Sequence, residues 1–287
     1  MSRIAYVNGR YVGFRGARIH VEDRGFQFAD GVYEVALLAN GRIIDRVRHF
    51  DRLERSLREL HIPPPVGRRA LGFIIDETAR RNGVTDGIVY VQITRGIAPR
   101  DHAPPAHARP SLIVIARSRR IPDARRQQHG ISVVTAPDLR WGRCDIKTVA
   151  LVANVLAKER AQQQHAYEAW LVDSRGRISE GSSTNTWIVA RDGTLITHPA
   201  DSGILCGVTR LAVIDLARGH GIKVKERAFT LKEAKAAREA FVTSTTSFVL
   251  PVVRLDGRPV GKGVPGPTTR ALQAAYLDHV RRQAYPE

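Results

Sequence analysis

The chain has 287 residues, 43% of them hydrophobic, which is enough for one large domain or two ordinary ones and too apolar for global disorder. A formal net charge of +17 raises nucleic-acid binding, yet the arginines run through every segment and interleave with Asp and Glu, as in DRLERSLREL. The nearest cluster, Arg117, Arg119 and Arg120 with Arg125 and Arg126, holds no aromatic side chain to stack a base, so no nucleic-acid partner is expected.

Residues 4–14 are two short apolar runs joined by Asn8-Gly9, a strong hairpin signal, and a second hairpin turns on Asn40-Gly41. Between them lies DRGFQFADGVYE, aromatic and glycine-bearing, without a clean period. Phe50, Leu53, Leu57 and Leu60 recur at helical spacing before Pro63-Pro64-Pro65, and residues 67–82 form another helix ending near Asn82-Gly83. GIVYVQITRG alternates Val89, Val91 and Ile93 against Ile88, Tyr90, Gln92 and Thr94, and SLIVIAR is a further strand. The long proline-rich loop between those strands, GIAPRDHAPPAHARP, has the length of a functional segment.

Residues 120–129 are charged and proline-containing and predict a linker. Beyond it come strand ISVVTA, an apolar helix after Lys147, strands in EAWLVD and ISEGSSTNTWIVA, and a hairpin at Asp192-Gly193. A helix over 208–218, strand IKVKE, helix LKEAKAA, strands AFVTS and FVLPVV, a hairpin at Asp256-Gly257 and a helix over 268–283 complete the pattern. Strands and helices mix without regular βαβ alternation. The expected fold is α+β, with mixed α/β sheets in two domains: a smaller one over 1–119 and a larger one over 130–287.

Most generic signatures are absent. No run of about 18 apolar residues suggests a membrane span, and the start, MSRIAYVNGRYVGF, lacks the apolar region of a secretory signal. Two cysteines, Cys144 and Cys206, make neither a disulfide framework nor a zinc set, so a cytoplasmic protein without a metal is expected. Lys147 is one of only seven lysines among 45 basic residues, placed between Arg143-Cys144-Asp145-Ile146 and an apolar run. Alone it reads as a lysine reaching water from the edge of an element; held out of water, its amine is a nucleophile. Two anion cups accompany it. At GILCGVTR, Gly207 precedes a helix start whose Val208 and Thr209 amides suit a phosphate; at FVTSTTS, hydroxyl residues follow a buried strand. With the Glu180 carboxylate in SEGSSTN, these are the parts that pyridoxal phosphate requires, although spacing alone does not establish it.

DRGFQFADGVYE, HFDRL, RCDIK, EGSSTN, GVTR and FVTSTTS occur in an order and spacing that resembles the fold-type IV pyridoxal-phosphate enzymes, and among them the D-amino-acid (D-alanine) aminotransferases most closely. The resemblance covers nearly the whole chain. It implies a two-domain enzyme in which the larger domain carries the cofactor lysine and the active site lies in the cleft between domains. It assigns Lys147 as the Schiff-base lysine and proton shuttle, and Glu180 as the partner of the pyridine nitrogen. Arg52, Gly207, Val208, Thr209, Ser244 and Thr245 bind the phosphate in this scheme, with Leu205 packed on the ring. Tyr33, together with Arg100 and His102 from the neighbouring subunit, traps the substrate carboxylate, which implies a homodimer. The implied reaction is transamination between a D-amino acid and a 2-oxo acid such as pyruvate or 2-oxoglutarate. The alternatives within the group are a branched-chain L-amino-acid aminotransferase, an (R)-amine transaminase and an aminodeoxychorismate lyase. A basic non-catalytic binding protein leaves the six ordered motifs without a reason.

Overall fold

In a computed structural model that describes residues 3–107 and 109–286, the chain divides into two compact units. The first comprises Met1–Arg120, Ile146–Ala150 and Val280–Glu287, and the second Ile121–Asp145 and Leu151–His279.

In the first unit, β1 (Ile4–Val7) and β2 (Arg10–Gly13) form the expected hairpin, with Asn8 and Gly9 both at positive φ. The aperiodic stretch that follows resolves into a short helix, α1 (Arg24–Phe28), capped by the Asp23 carboxylate, which accepts from the Gly25 amide. Then come β3 (Gly31–Ala39), β4 (Arg42–Ile43), α2 (Arg46–Glu59), α3 (Arg68–Arg81), β5 (Gly87–Thr94) and β6 (Ser111–Ser118). The six strands make one antiparallel sheet in the order β2-β1-β6-β5-β3-β4. The β5 alternation places Val89, Val91 and Ile93 in the core with Phe50, Leu53 and Leu57 of α2 and Leu71, Ile74 and Ile75 of α3.

The second unit begins with α4 (Ala124–His129), inside the segment whose composition predicts a linker. It is tied in: the Gln127 amide donates to the Ser247 carbonyl, and Arg270 donates to the carbonyls of Gln127 and Gln128. Next come β7 (Ile131–Pro137), α5 (Val152–Gln163), β8 (Glu168–Val172), β9 (Arg177–Gly181), β10 (Asn185–Val189) and β11 (Leu195–Thr197). The chain continues through α6 (Val208–Gly219), β12 (Val224–Glu226), β13 (Phe229–Thr230), α7 (Leu231–Ala236) and β14 (Glu239–Ser244). It closes with β15 (Phe248–Leu255), β16 (Arg258–Pro259) and α8 (Pro267–Ala284). The sheet follows the order β12-β11-β10-β14-β15-β7-β8-β9-β13, with β16 paired to β15, and is mixed: β15–β7, β7–β8 and β11–β12 are parallel. It is covered on both faces. Ala169 and Leu171 of β8 pack on Ala157 and Ala161 of α5, whereas Trp170 joins the opposite core with Phe229.

Lys147 is placed differently from its expected neighbourhood in the larger domain. The apolar run after it predicts a helix at its side, but α5 starts only at Val152, and Ile146–Ala150 packs with the first unit. The reason is physical. Thr148 bridges Val32 of β3, the Val149 amide donates to the Gly31 carbonyl at 3.0 Å, and Ile146, 4% exposed, enters the apolar core beneath α2. The larger apolar residues of α5 face outward instead: Val152, Val155 and Leu156 are all exposed, and only Ala157 and Ala161 of the helix are buried, against β8. Among the described residues no helix is long and apolar enough to cross a membrane.

Ile146→Ala is expected to lower the stability of the protein by about 2–4 kcal/mol through a cavity in that core, read as a lower urea midpoint. A midpoint within experimental scatter of the parent would contradict the packing described for this pentapeptide.

Candidate active site

Two groups of side chains match the expected chemistry, one in each unit. In the first unit Lys147 is fixed through its main chain. Its carbonyl accepts from the Tyr33 amide at 3.0 Å, and its amide donates to the Ser56 hydroxyl at 3.2 Å. The half-buried side chain carries Nζ to 4.2 Å from the centroid of the Tyr33 ring, within cation–π reach. Strand β3 thus presents Tyr33 to the lysine, and the pleat turns the next residue, Glu34, to the opposite face.

Glu34 orients Arg52. Its carboxylate accepts from Arg52 Nε at 2.7 Å and Nη2 at 2.8 Å, a two-point grip, and pairs with His49 Nδ1 at 2.8 Å. Burial alone would raise the Glu34 pKa; the charge and hydrogen bonds of Arg52, aided by His49, bring it down to about 2. The guanidinium is therefore a fixed cation on α2, suited to an anion.

Arg100 and His102 lie on the loop after β5, and both side chains are exposed. The loop departs from β5 through Gly96, at φ +97, where a Cβ would lie 1.9 Å from the Arg109 carbonyl oxygen; only glycine fits. The Arg100 guanidinium stands 4.7 Å from the centroid of Phe28, and the His102 ring stands 5.4 Å from the same ring.

In the second unit the centre is Glu180, near the end of β9 and 6% exposed. Its carboxylate receives the Arg140 guanidinium, the Asn185 amide at 3.0 Å and the Leu205 main-chain N–H at 3.2 Å. Arg140 is held in turn by Asp138, at 2.9 Å through Nε and 2.8 Å through Nη2, and donates to the Gly203 carbonyl. Desolvation pushes the Glu180 pKa up to about 7, against the downward pull of Arg140 and the Leu205 amide. A carboxyl poised there can share a proton with a ring nitrogen near neutrality.

Asn185 also donates to the Leu205 carbonyl at 2.9 Å, so one side chain ties Glu180 to the turn that carries Leu205. Gly207 is the N-cap of α6 in an ordinary extended conformation, and a Cβ there would fall 2.1 Å from Asn185 Oδ1. The first amides of α6, those of Val208 and Thr209, precede any i−4 acceptor within the helix. The Thr209 hydroxyl lies 3.4 Å from the Tyr276 hydroxyl. Of the hydroxyl run at the end of β14, Thr243 accepts from Trp187 Nε1, and Ser244 and Thr245 are half-buried; the Ser244 hydroxyl accepts from the Ser247 amide at 3.1 Å. Helix α6 packs on β14.

Each group fits part of pyridoxal phosphate by its chemistry. The first unit offers an amine and a fixed guanidinium, and the second a buried carboxylate suited to a ring nitrogen and a helix N-terminus with strand-end hydroxyls suited to a phosphate. Sequence reasoning missed Glu34, His49, Asp138, Arg140 and Asn185. Asn185 closes the EGSSTN motif and could have been found there, whereas Arg140 is one arginine among many and carries no local signal.

The sequence pattern of the family described as Amino-transferase class IV matches residues 31–255. The chain is 41% identical over 279 residues to the D-alanine aminotransferase of Listeria innocua serovar 6a, covering 96% of each protein. Among solved structures it resembles the branched-chain amino acid aminotransferase from Escherichia coli, with a TM-score of 0.87 and 26% identity over 96% of this chain and 94% of that one. It also resembles 4-amino-4-deoxychorismate lyase from Pseudomonas aeruginosa, with a TM-score of 0.83 and 29% identity over 96% of this chain and 98% of that one.

The Glu180 environment has a consequence for pH. Its folded pKa near 7 exceeds the ordinary 4.5, so the folded chain holds this proton more tightly than the unfolded one. That contribution to stability is complete below about pH 4.5 and fades as pH rises through about 7. Cofactor-free protein should lose roughly 3 kcal/mol across that window from this group, a loss that Glu180→Gln removes. Urea unfolding at several pH values checks it; parallel curves for parent and variant would refute the assignment.

Proposed function

The chain belongs to the class IV amino-transferase family, and on that premise we propose that it transfers the amino group of a D-amino acid such as D-alanine to a 2-oxo acid such as pyruvate or 2-oxoglutarate. The observation that carries this reading is the 41% identity to a D-alanine aminotransferase along 96% of both chains. The branched-chain enzyme and the lyase stand at 26% and 29% over similar coverage, so likeness of fold does not favour them.

Pyridoxal 5'-phosphate, when bound, supplies an electron sink for the bond broken at the substrate Cα. Lys147 Nζ would hold the cofactor and, with substrate bound, would accept the Cα proton of the donor in one half-reaction and supply a proton to Cα of the 2-oxo acid in the other. The Glu180 carboxylate holds a proton on the ring nitrogen, steadied by Arg140 and Asn185. Arg52, held by Glu34, binds the phosphate together with the amides of Val208 and Thr209 after Gly207 and with Ser244 and Thr245. Leu205 would pack against the cofactor ring. Tyr33, Arg100 and His102 receive the substrate carboxylate, and fixing that group decides which side of Cα faces Lys147, and so which enantiomer presents its hydrogen there.

The working form is a cytoplasmic homodimer in which Arg100 and His102 serve the partner's site. Their exposure in the single chain supports this, as does the exposed stripe of Val152, Val155 and Leu156 on α5 at i, i+3 and i+4.

Three measurements test the reading. Lys147→Ala should abolish the visible absorption band of the holoenzyme and nearly all transamination; retained turnover would sink it. Arg100→Ala should raise KM for D-alanine by ~10-fold or more with a smaller change in kcat. In a panel of D-alanine, D-glutamate, L-leucine and (R)-1-phenylethylamine against pyruvate or 2-oxoglutarate, a D-amino acid should be the preferred donor, and preference for L-leucine would overturn the substrate assignment.

A further inference from the structure

Arg100 and His102 are exposed, so little around their side chains holds them in place; their geometry depends on the main chain that carries them. That main chain is gripped from within. Arg24, at the start of α1 and only 4% exposed, sends Nη1 to the Asp101 carbonyl at 2.6 Å and Nη2 to the His102 carbonyl at 3.3 Å. Its Nε donates to Asp30 Oδ2 at 2.8 Å, and its amide donates to the Gly96 carbonyl at 2.9 Å, where the loop begins. Asp30 is braced separately by Arg95, whose Nε and Nη2 reach it at 2.7 Å and 3.0 Å.

Phe28 completes the arrangement. It sits one turn after Arg24 on the same face of α1, with the Arg24 guanidinium 4.6 Å from its centroid. The same ring meets Arg100 at 4.7 Å and His102 at 5.4 Å. One buried cation thus holds the main chain of Asp101 and His102, and one aromatic ring touches the side chains of both Arg100 and His102. Burying a guanidinium is unfavourable unless its donors are used. Here three of its nitrogens are used, two of them on the successive carbonyls of Asp101 and His102. A planar fork can bridge two carbonyls and a carboxylate at once, which an ammonium cannot do with the same geometry.

We propose that Arg24, with Phe28, is a positioning residue for substrate recognition: it holds the main chain of Asp101 and His102 so that Arg100 and His102 stand ready for a carboxylate before substrate arrives. The inference rests on the reading of Arg100 and His102 as the carboxylate-binding pair. Preorganisation of this kind lowers the ordering penalty of binding and leaves the proton transfers at Lys147 untouched. Neither side chain contacts substrate in this scheme.

The test uses the holoenzyme with Arg24→Lys, which keeps the charge and loses the fork, and with Phe28→Leu, which keeps an apolar side chain should the first variant fold poorly. Three quantities are measured: KM and kcat for D-alanine, competitive inhibition by propionate as a carboxylate without an amine, and hydrogen exchange of the amides over residues 97–103. The expected result is a rise of ~10-fold in both KM and the propionate inhibition constant, kcat within ~3-fold, and faster exchange of the loop amides. A fall in kcat with KM and propionate inhibition unchanged would reduce Arg24 to structural support and overturn the proposal, as would unchanged exchange in both variants. Arg100→Ala is run alongside. If it raises KM while the Arg24 and Phe28 variants do not, only the positioning role falls; if it leaves KM unchanged, the carboxylate reading falls and this inference with it.

Discussion

Main-chain hydrogen bonding between residues 146–150 and the first residues of β3 is the constraint on which the lysine depends. Tyr33 donates to the Lys147 carbonyl and Val149 donates to the Gly31 carbonyl, so the lysine's Cα is set by backbone geometry and not by the packing of its own side chain. The nucleophile proposed at Lys147 needs its chain free at the reactive end. Anchoring by the main chain and by Ile146 in the core is compatible with that role, because nothing has to grip the amine to keep the residue in place. The same strand delivers Tyr33 to one face and Glu34 to the other, so one element serves both the lysine and the arginine of α2.

A second regularity is how charge is held. Arg52 is gripped by Glu34, Arg24 by Asp30, and Arg140 by Asp138. All three guanidinium side chains are 10% exposed or less, and each has a partner that fixes its direction. Many of the other arginines stand on exposed pairs, such as Arg80 and Arg81 on Glu77 or Arg68 on Asp51. Pairs like those contribute little to stability and leave their guanidinium mobile. The excess of arginine that suggests a polyanion partner by composition thus separates into a solvated majority and a few buried members with directed donors.

Much of this was legible in the sequence, for identifiable reasons. Hairpins at Asn8-Gly9, Asn40-Gly41, Asp192-Gly193 and Asp256-Gly257 follow from local backbone preferences, and β5 follows from its alternation. Helix α4 was not legible, because its stability comes from contacts with Ser247 and Arg270, far away in sequence, and not from an apolar stripe. The surroundings of Lys147 differ from the expectation: an apolar run reads as a helix beside it, but α5 starts only at Val152 and its Val152, Val155 and Leu156 point outward. Arg140 and Glu34 escaped notice because their roles lie in what they hold, and a pairing across many residues leaves no periodic trace. The Arg100 and His102 pair was visible as a motif, but the buried residue beneath it was not.

The contact between Gly207 and Asn185 has a consequence for how such a chain can drift. Gly207 has a backbone conformation open to any residue, so its small size serves its neighbour and not its own turn. A side chain there is admissible only if the Asn185 amide withdraws, and that amide is what joins Glu180 to the Leu205 turn. Neither position can change first without injury to the carboxylate between them. A side chain at 207 and a smaller residue at 185 would have to arrive together, and even then the hydrogen bonds that Asn185 gives to Glu180 and Leu205 would be lost.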